Sequence, residues 1–178
     1  MYELFVLGQL MDQEMAGYQL RQALKSVVGQ EQTVSYGVLY PLLERLSQAG
    51  DITLTTVETS QRPKKVATLT SQGRSHFQTL ILAPVTVNKQ SQLVFQIKCN
   101  FLHLLSVPDQ RTVLQDFQSF TQFQLDNLRD INDYLTTQPR MVPTDVADAL
   151  QVNQLQKGRA QAQADWITAR LARLDKGE

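Results

Sequence analysis

The sequence predicts a mainly α-helical protein, with an N-terminal winged helix-turn-helix domain followed by an all-α C-terminal dimerisation domain. Three observations predict this architecture. A short helix that begins near Ser35 has a hydroxyl and two tyrosines in its opening turns. A strand, a basic turn and a second strand follow it, between Ile52 and Leu69, and these would form a two-stranded β wing. Beyond residue 88 the apolar residues recur at helical spacing.

Composition is typical of a globular protein without disulfide bonds. The 178 residues can form one domain or two small ones, with enough apolar content for a core. Cys99 is the single cysteine, which excludes a disulfide framework and a thiolate cluster for zinc and suits a reducing compartment. No run approaches the ~18 apolar residues that a membrane span needs, and no signal-peptide pattern is visible. We therefore expect a cytoplasmic protein that does not contact membranes.

Apolar spacing predicts the first two helices. Leucines and a methionine recur at helical intervals between residues 2 and 12, which indicates the first helix. Residues 17–24 form the second, and Gly29 is expected to end it.

The third helix is the predicted recognition helix. Ser35 is expected to cap it, because its hydroxyl can accept a bond from the free backbone donors of the first turn. Tyr36 and Tyr40 share a face, and each offers a phenol for a phosphate or an apolar edge for a thymine methyl. For Tyr40 the alternative is a half-buried core tyrosine. The opposite, buried face is expected to consist of Val38, Leu42 and Leu46.

The wing is predicted from two strands of period two, residues 52–57 and 65–69, with a turn between them. Residues 59–74 contain four cations and no acid. Because the whole chain is formally neutral, affinity for phosphate has to come from such local placement. Solvated surface lysines are the alternative interpretation. After the wing, Thr70 is expected to cap a fourth helix that runs to about Leu82.

These elements predict contact with double-stranded DNA. No Arg or Asn lies in the opening turns of the third helix, so phosphate and shape recognition are expected to contribute much of the binding. The residues predicted to contact DNA are Arg21, Thr33, Ser35, Tyr36, Tyr40, Arg62, Lys64 and Lys65.

Residues 83–88 are interpreted as a linker, so the predicted domains are residues 1–83 and 84–178. Two helical stripes follow the linker, and the second runs through Leu114, Phe117, Leu128, Ile131 and Leu135. A long last helix is expected to begin near Thr144, which would cap it. That helix carries a heptad-like seam, which indicates either packing within the chain or a homodimer contact. Helix-turn-helix proteins generally need two copies to place recognition helices about 34 Å apart, which favours the dimer. The predicted dimer contacts are Ala160, Ala164, Trp166, Ile167, Leu171 and Leu174.

Several stretches resemble the PadR-like family of bacterial winged-helix regulators. They are Leu7-Gly8-Gln9-Leu10, Gly17-Tyr18-Gln19-Leu20, Tyr36-Gly37-Val38-Leu39-Tyr40-Pro41-Leu42-Leu43, Leu46 with Gly50 and Ile52, Arg62-Pro63-Lys64-Lys65 and Leu69-Thr70-Ser71-Gln72-Gly73. Each is weak alone, but together they cover nearly all of the first 75 or so residues in the family's order. Two departures are Ala16, where members often have His or Ser, and Tyr36, where they often have Pro. The second departure can alter operator preference.

The resemblance implies a sequence-specific transcriptional regulator, a homodimeric repressor of the subfamily with a larger C-terminal domain. In that family Tyr40 and the wing lysines would approach the DNA. Members of this size include repressors that phenolic acids release from DNA, which implies a small aromatic effector. The residues predicted to contribute to its site are Phe95, Lys98, Phe101 and His103. Their alternative interpretation is a core stripe with a solvated lysine and an interfacial histidine.

An enzyme is not expected. His76 and His103 are too few and too isolated to form a metal site with Cys99, and no Gly-rich phosphate loop or GxSxG elbow occurs. We therefore predict neither catalysis nor a cofactor. The remaining alternative is a winged-helix adaptor that contacts a protein and binds no specific operator.

Overall fold

The computed structural model describes residues 1–28, 36–58, 63–88, 90–137 and 142–177, with the side chains of Ser26 and Tyr36 left out. Its elements confirm the predicted mainly α-helical class with a small winged sheet. Contacts divide the chain into two compact units, Met1–Ser106 and Val107–Glu178. In chain order the elements are α1 (Tyr2–Asp12), β1 (Met15–Ala16), α2 (Gly17–Val28), α3 (Tyr36–Gln48), β2 (Ile52–Val57), β3 (Lys64–Leu69), α4 (Ser71–Leu82), α5 (Ser91–Asn100), a 3-10 turn (Leu102–Leu104), α6 (Val107–Thr137) and α7 (Pro143–Lys176).

The sheet of the first unit has three antiparallel strands in the order β1-β3-β2. Strands β2 and β3 form the predicted hairpin, in register from Ile52 opposite Leu69 to Val57 opposite Lys64. Strand β1 was not predicted, because two residues are too short to show an alternating pattern. Its pairing with β3 ties the start of α2 to the wing.

The junction of α3, the wing and α4 is built around Asp51. Gly50 adopts a positive φ of 81°, which lets the chain turn sharply after α3. The Asp51 carbonyl accepts bonds from the backbone N–H of Thr70, at 3.0 Å, and from its hydroxyl, at 2.9 Å. The Thr70 hydroxyl oxygen also accepts a bond from the Gly73 N–H at 3.0 Å, which confirms Thr70 as the cap of α4.

Asp51 and His76 form a close pair behind this junction. The His76 Nδ1 lies 2.8 Å from the Asp51 Oδ2, and the Asp51 side chain is 4% exposed. Ligand atoms of Glu3, Asp51 and His76 lie within 4.8 Å of one another. The sequence showed no such cluster, because its three residues lie on separate elements.

The core of the first unit extends beyond the predicted domain boundary after Ala83. Helix α5 contacts α1 and α2. The Phe101 ring lies 5.9 Å from the rings of both Phe5 and Phe77, centroid to centroid. The unit therefore ends at Ser106 rather than at residue 83, and residues 83–88 connect two helices of the same unit.

The second unit is the antiparallel pair of α6 and α7. Near one end of the pair Arg111 donates a 2.7 Å bond to Asp175, and near the middle Gln163 donates to Thr121 at 2.6 Å. Most of the predicted α6 stripe is buried, but Ile131 is 47% exposed. The buried members of this stripe are Leu114, Phe117, Leu128 and Leu135.

The start of α7 differs from the prediction. Val142 occupies the N-cap position without a side-chain bond, and Pro143 is the first helical residue, a position at which its missing N–H removes no helical bond. Thr144 is therefore not the cap. None of the helices in the described ranges is long and apolar enough to cross a membrane.

Candidate nucleic-acid interface

Helix α3 is amphipathic, and its exposed side carries the predicted recognition residue Tyr40. The tyrosine is 39% exposed. Val38, which the sequence placed on the buried stripe, is 44% exposed. Leu42 and Leu46 are buried as predicted, but Leu39 takes the place of Val38 on the buried stripe. Its buried members are Leu39, Leu42, Leu43 and Leu46.

The wing places two lysines beside this helix. Lys64 and Lys65 open strand β3, opposite Val57 and Thr56 at the end of β2, and both lysines are exposed. Antiparallel pairing at the tip of the hairpin therefore presents two cations at successive positions. Arg62, the third predicted cation of the wing, lies outside the described residues.

Three contacts bring the wing, α2 and α3 to one surface. The Lys65 Nζ lies 3.9 Å from the Glu44 Oε1 of α3. The Lys64 Nζ lies 5.5 Å from the centroid of the Tyr18 ring of α2, a cation–π distance. A Cβ added to Gly17 would lie 3.2 Å from the Tyr40 ring, so α2 and α3 approach each other closely here. We call the surface formed by Tyr18, Tyr40, Glu44, Lys64 and Lys65 the wing face.

The two lysines of the wing face interact only weakly with their neighbours in the chain, so their positive charge can bind another group. The side chains of Lys65 and Glu44 are 58% and 61% exposed, and an exposed pair of this kind contributes only about 0–1 kcal/mol. A phosphate can therefore replace Glu44 as the partner of Lys65 at little cost. The lysine of a cation–π pair also keeps its charge, so Lys64 can contact a phosphate from above the Tyr18 ring.

Sequence reasoning missed two members of the wing face. Tyr18 is 47% exposed and Glu44 projects from α3, yet neither was among the predicted contacts. Their proximity to the lysines arises from the sheet pairing, which no local pattern shows.

The other predicted DNA contacts lie at the edge of this surface or beyond the described part of the chain. Arg21 is half-buried on α2, three residues after Tyr18 and so near it on the helix surface. Thr33 and Ser35 fall outside the described residues. Tyr36 is the first residue of α3, and its side chain is not described.

The four predicted effector residues are not gathered around one opening. Phe95 and Phe101 are 1% exposed, and a Cβ added to Gly8 would lie 2.6 Å from the Phe101 ring. The buried Lys98 donates from Nζ to the Ala83 carbonyl at 2.6 Å. The exposed His103 has its Nε2 3.6 Å from the Asp12 Oδ2. Both phenylalanines thus occupy core positions, and an effector role for the four stays a prediction.

The residues predicted for the dimer divide into two groups. Ala160 and Ile167 are 8% and 0% exposed within one chain, so they pack between α6 and α7. For these two residues the seam is packing within the chain, the alternative to a dimer contact. Ala164, Leu171 and Leu174 are half-buried, whereas Trp166 is 44% exposed. The second unit also exposes other large apolar side chains, which sequence reasoning did not single out as a surface: Phe123, Ile131, Tyr134, Val152 and Leu155.

Known proteins with similar sequences share this winged-helix segment. Residues 6–79 match the model of the transcriptional regulator PadR-like family. The chain is 25% identical over 174 residues to the negative transcriptional regulator PadR of Bacillus subtilis (strain 168), with 96% of each chain covered.

Among solved structures, the crystal structure of Bacillus subtilis PadR in complex with operator DNA is 22% identical over 96% of each chain, with a TM-score of 0.43. The crystal structure of the same protein in complex with p-coumaric acid is 24% identical, with a TM-score of 0.41, over 97% of this chain and 98% of that one. The matched segment, residues 6–79, contains β1 to β3 and the helices that carry the wing face. The chain is therefore similar to the PadR-like family of transcriptional regulators over its winged-helix segment.

Proposed function

We propose that this regulator is a homodimeric repressor that holds its operator through the wing face and is released by a small molecule. The observation that carries the proposal is the wing face itself, where Lys64 and Lys65 stand beside the exposed Tyr40 of α3. The name of the Bacillus subtilis relative, a negative regulator, supports repression as the sign of control.

In the proposed complex the N-terminal end of α3 enters the major groove, the docking that helix-turn-helix proteins use. Tyr40 then reaches a phosphate or the methyl group of a thymine. The wing lysines bind backbone phosphates, and Lys65 exchanges Glu44 for one of them. Such contacts position the protein and contribute most of its salt-dependent affinity.

Fluorescence anisotropy tests this function. Labelled DNA from upstream of the chain's own gene is titrated with the full chain, beside random DNA of the same length. Binding that prefers the upstream DNA and weakens as salt rises is the expected result. Equal binding to both DNAs, or binding that salt does not change, would instead favour a protein-contact adaptor.

The proposed dimer rests on the exposed apolar side chains of the second unit. Val152 and Leu155 are 54% and 56% exposed on α7, and Tyr134 is 57% exposed on α6. Val152 and Leu155 are one helical turn apart, and an exposed apolar patch is characteristic of association between chains. A homodimer also supplies the second recognition helix that a two-fold operator requires.

Trp166→Asp is expected to shift the protein from dimer to monomer, because it places a charge at an exposed apolar position of the predicted interface. Sedimentation velocity measures the change, and Trp166→Phe is the matched control that keeps an aromatic ring. If the Trp166→Asp protein stays dimeric at the same concentrations, Trp166 does not lie in the dimer interface.

Release by a small molecule is proposed as a population shift. In one conformation the two recognition helices have the spacing that the operator requires, and in the other they do not. A ligand that binds the second conformation more tightly lowers operator affinity, and the size of the effect is set by the difference between its affinities for the two conformations. The Bacillus subtilis relative has been crystallised with p-coumaric acid, which supports an aromatic carboxylic acid as the class of ligand. A ligand that binds free and operator-bound protein equally would exclude this mechanism.

A further inference from the structure

Two carboxylates and an imidazole meet inside the first unit. Glu3 comes from the first turn of α1, Asp51 immediately precedes β2, and His76 lies on α4. One carboxylate oxygen or ring nitrogen from each residue lies within 4.8 Å of those of the other two. Sequence reasoning considered His76 only beside His103 and Cys99, whereas the fold places it with two acids. We call these three residues the junction cluster.

The Asp51 carboxylate is buried, and its contacts do not neutralise it. Its side chain is 4% exposed, and its Oδ2 lies 2.8 Å from the His76 Nδ1. The Gln72 side-chain amide donates to its Oδ1 at 3.4 Å. An imidazole is charged only when protonated and an amide never is, and no Lys or Arg of the described ranges forms an ion pair with Asp51. A buried carboxylate is costly unless a cation compensates its charge, so the junction cluster favours a cation.

Glu3 adds a second negative charge, and its own ion pair is weak. The Arg45 NH2 lies 3.8 Å from the Glu3 Oε1, and the Arg45 side chain is 66% exposed. An ion pair that is so exposed contributes little, so another cation can replace Arg45. A divalent cation would neutralise both carboxylates of the junction cluster at once.

The donor atoms and their spacing suit a transition-metal ion. Imidazole nitrogen is a good ligand for zinc and its neighbours in the periodic table, and carboxylate oxygen completes many such sites. Around a tetrahedral Zn²⁺ with bonds of about 2.0–2.2 Å, neighbouring ligand atoms lie about 3.3–3.6 Å apart. The junction cluster spans this separation, because one pair of its atoms is 2.8 Å apart and none is beyond 4.8 Å. Small side-chain rotations therefore bring the three donors to one ion.

We propose that Glu3, Asp51 and His76 bind one divalent transition-metal ion, for which Zn²⁺ is the best fit, with solvent in the remaining position. His76 binds through Nδ1 as a neutral ring, so Nδ1 loses its proton and Nε2 carries one. Gln72 keeps its bond to the Asp51 Oδ1 and orients the carboxylate, as outer partners of metal ligands do. The ion joins α1, the start of the wing and α4, so it stabilises the winged-helix unit. Because the junction cluster is formed without DNA, the free protein is sufficient for each test.

Isothermal titration calorimetry of the untagged, metal-free full chain tests the site with Zn²⁺. We expect one ion per chain, weaker binding of Mn²⁺, which stands at the weak end of the divalent series, and no binding of Mg²⁺ at micromolar concentration. Failure of Zn²⁺ to bind at micromolar concentration would overturn the proposal. Equal affinities for Mg²⁺ and Zn²⁺ would overturn it too, because an imidazole ligand discriminates against Mg²⁺.

Two variants remove one ligand each. Glu3→Gln and His76→Gln are expected to lower Zn²⁺ affinity at least tenfold, a loss that removal of an outer-shell partner alone can cause. The matched control is His103→Gln. His103 also lies beside a carboxylate, with its Nε2 3.6 Å from the Asp12 Oδ2, but the described residues give this pair no third ligand. The control is expected to bind as wild type does. Wild-type affinity in either ligand variant, or an equal loss in the control, would place the ion elsewhere and overturn the proposal.

NMR of the histidine rings locates the ion independently of the variants. The chain has two histidines, so the signals of His76 and His103 can be assigned by substituting one of them. Zn²⁺ is expected to shift the Nδ1 signal of His76 and to leave the signals of His103 in place. A shift confined to His103 would overturn the proposal.

Thermal melting measures the stabilisation. Zn²⁺ at about a hundred times its Kd is expected to raise the melting temperature of wild type by roughly 5–10 °C, because the ion binds the folded site only. The rise is expected to be much smaller in Glu3→Gln, whose fold is checked by circular dichroism without metal. A melting temperature of wild type that Zn²⁺ does not change would contradict an ion held between α1, the wing and α4.

Discussion

Gly73→Ala is expected to destabilise the winged-helix unit by at least about 3 kcal/mol, beyond the usual cost of overpacking a core. A Cβ at Gly73 would lie 2.1 Å from the Asp51 carbonyl oxygen and 2.7 Å from the Leu69 Cδ1. The carbonyl cannot move freely, because it accepts two bonds from Thr70 at the junction of wing and α4. Relief of the clash therefore requires the backbone to shift where it supports the wing.

Urea denaturation followed by circular dichroism measures this effect, with Gly158→Ala as the matched control. Both substitutions add one methyl group to a helical glycine, but nothing lies within 4 Å of a Cβ at Gly158. The control is expected to gain about 1 kcal/mol from the higher helix propensity of alanine. A Gly73→Ala protein as stable as wild type would show that the close approach of α4 to Asp51 is not required.

Lys64→Ala/Lys65→Ala is expected to lower operator affinity roughly a hundredfold at moderate salt, because a dimer would lose four phosphate-binding cations. Both lysines are exposed, and they take part in an exposed ion pair and a cation–π pair, so the fold is expected to remain intact. Fluorescence anisotropy gives the affinities, and thermal melting checks the fold.

Arg173→Ala/Lys176→Ala is the matched control for the wing variant. It removes the same net charge from the end of α7, outside the winged-helix unit. We expect it to retain operator affinity within a small factor. Equal losses in the two double variants would mean that bulk charge governs binding and that the wing has no special position.

Elements with strong local signals were predictable from the sequence. The alternating residues Ile52–Val57 form β2 as predicted. Thr70 caps α4 as predicted, because its hydroxyl only has to reach the backbone N–H of Gly73 in the first turn of that helix. In both cases the decisive interactions lie between residues near each other in the chain or on one hairpin. The class of fold and the helix α3 followed from the same kind of signal.

Features that depend on distant contacts were not predictable. Strand β1 exists because β3 offers it backbone partners, and Tyr18 joins the wing face because sheet pairing brings Lys64 to its ring. The unit boundary lies after Ser106 because Phe101 completes an aromatic cluster with residues far earlier in the chain. The heptad spacing of α7 was visible in the sequence, but only burial shows that Ile167 packs within its own chain.

The salt dependence of operator binding tests the central claim most directly. The slope of log K against log salt is measured for wild type and for Lys64→Ala/Lys65→Ala. If the wing lysines neutralise phosphates, the slope of the variant is expected to be shallower by about 1 for each lost contact. Identical slopes, with an affinity that salt barely changes, would contradict a wing face that binds DNA.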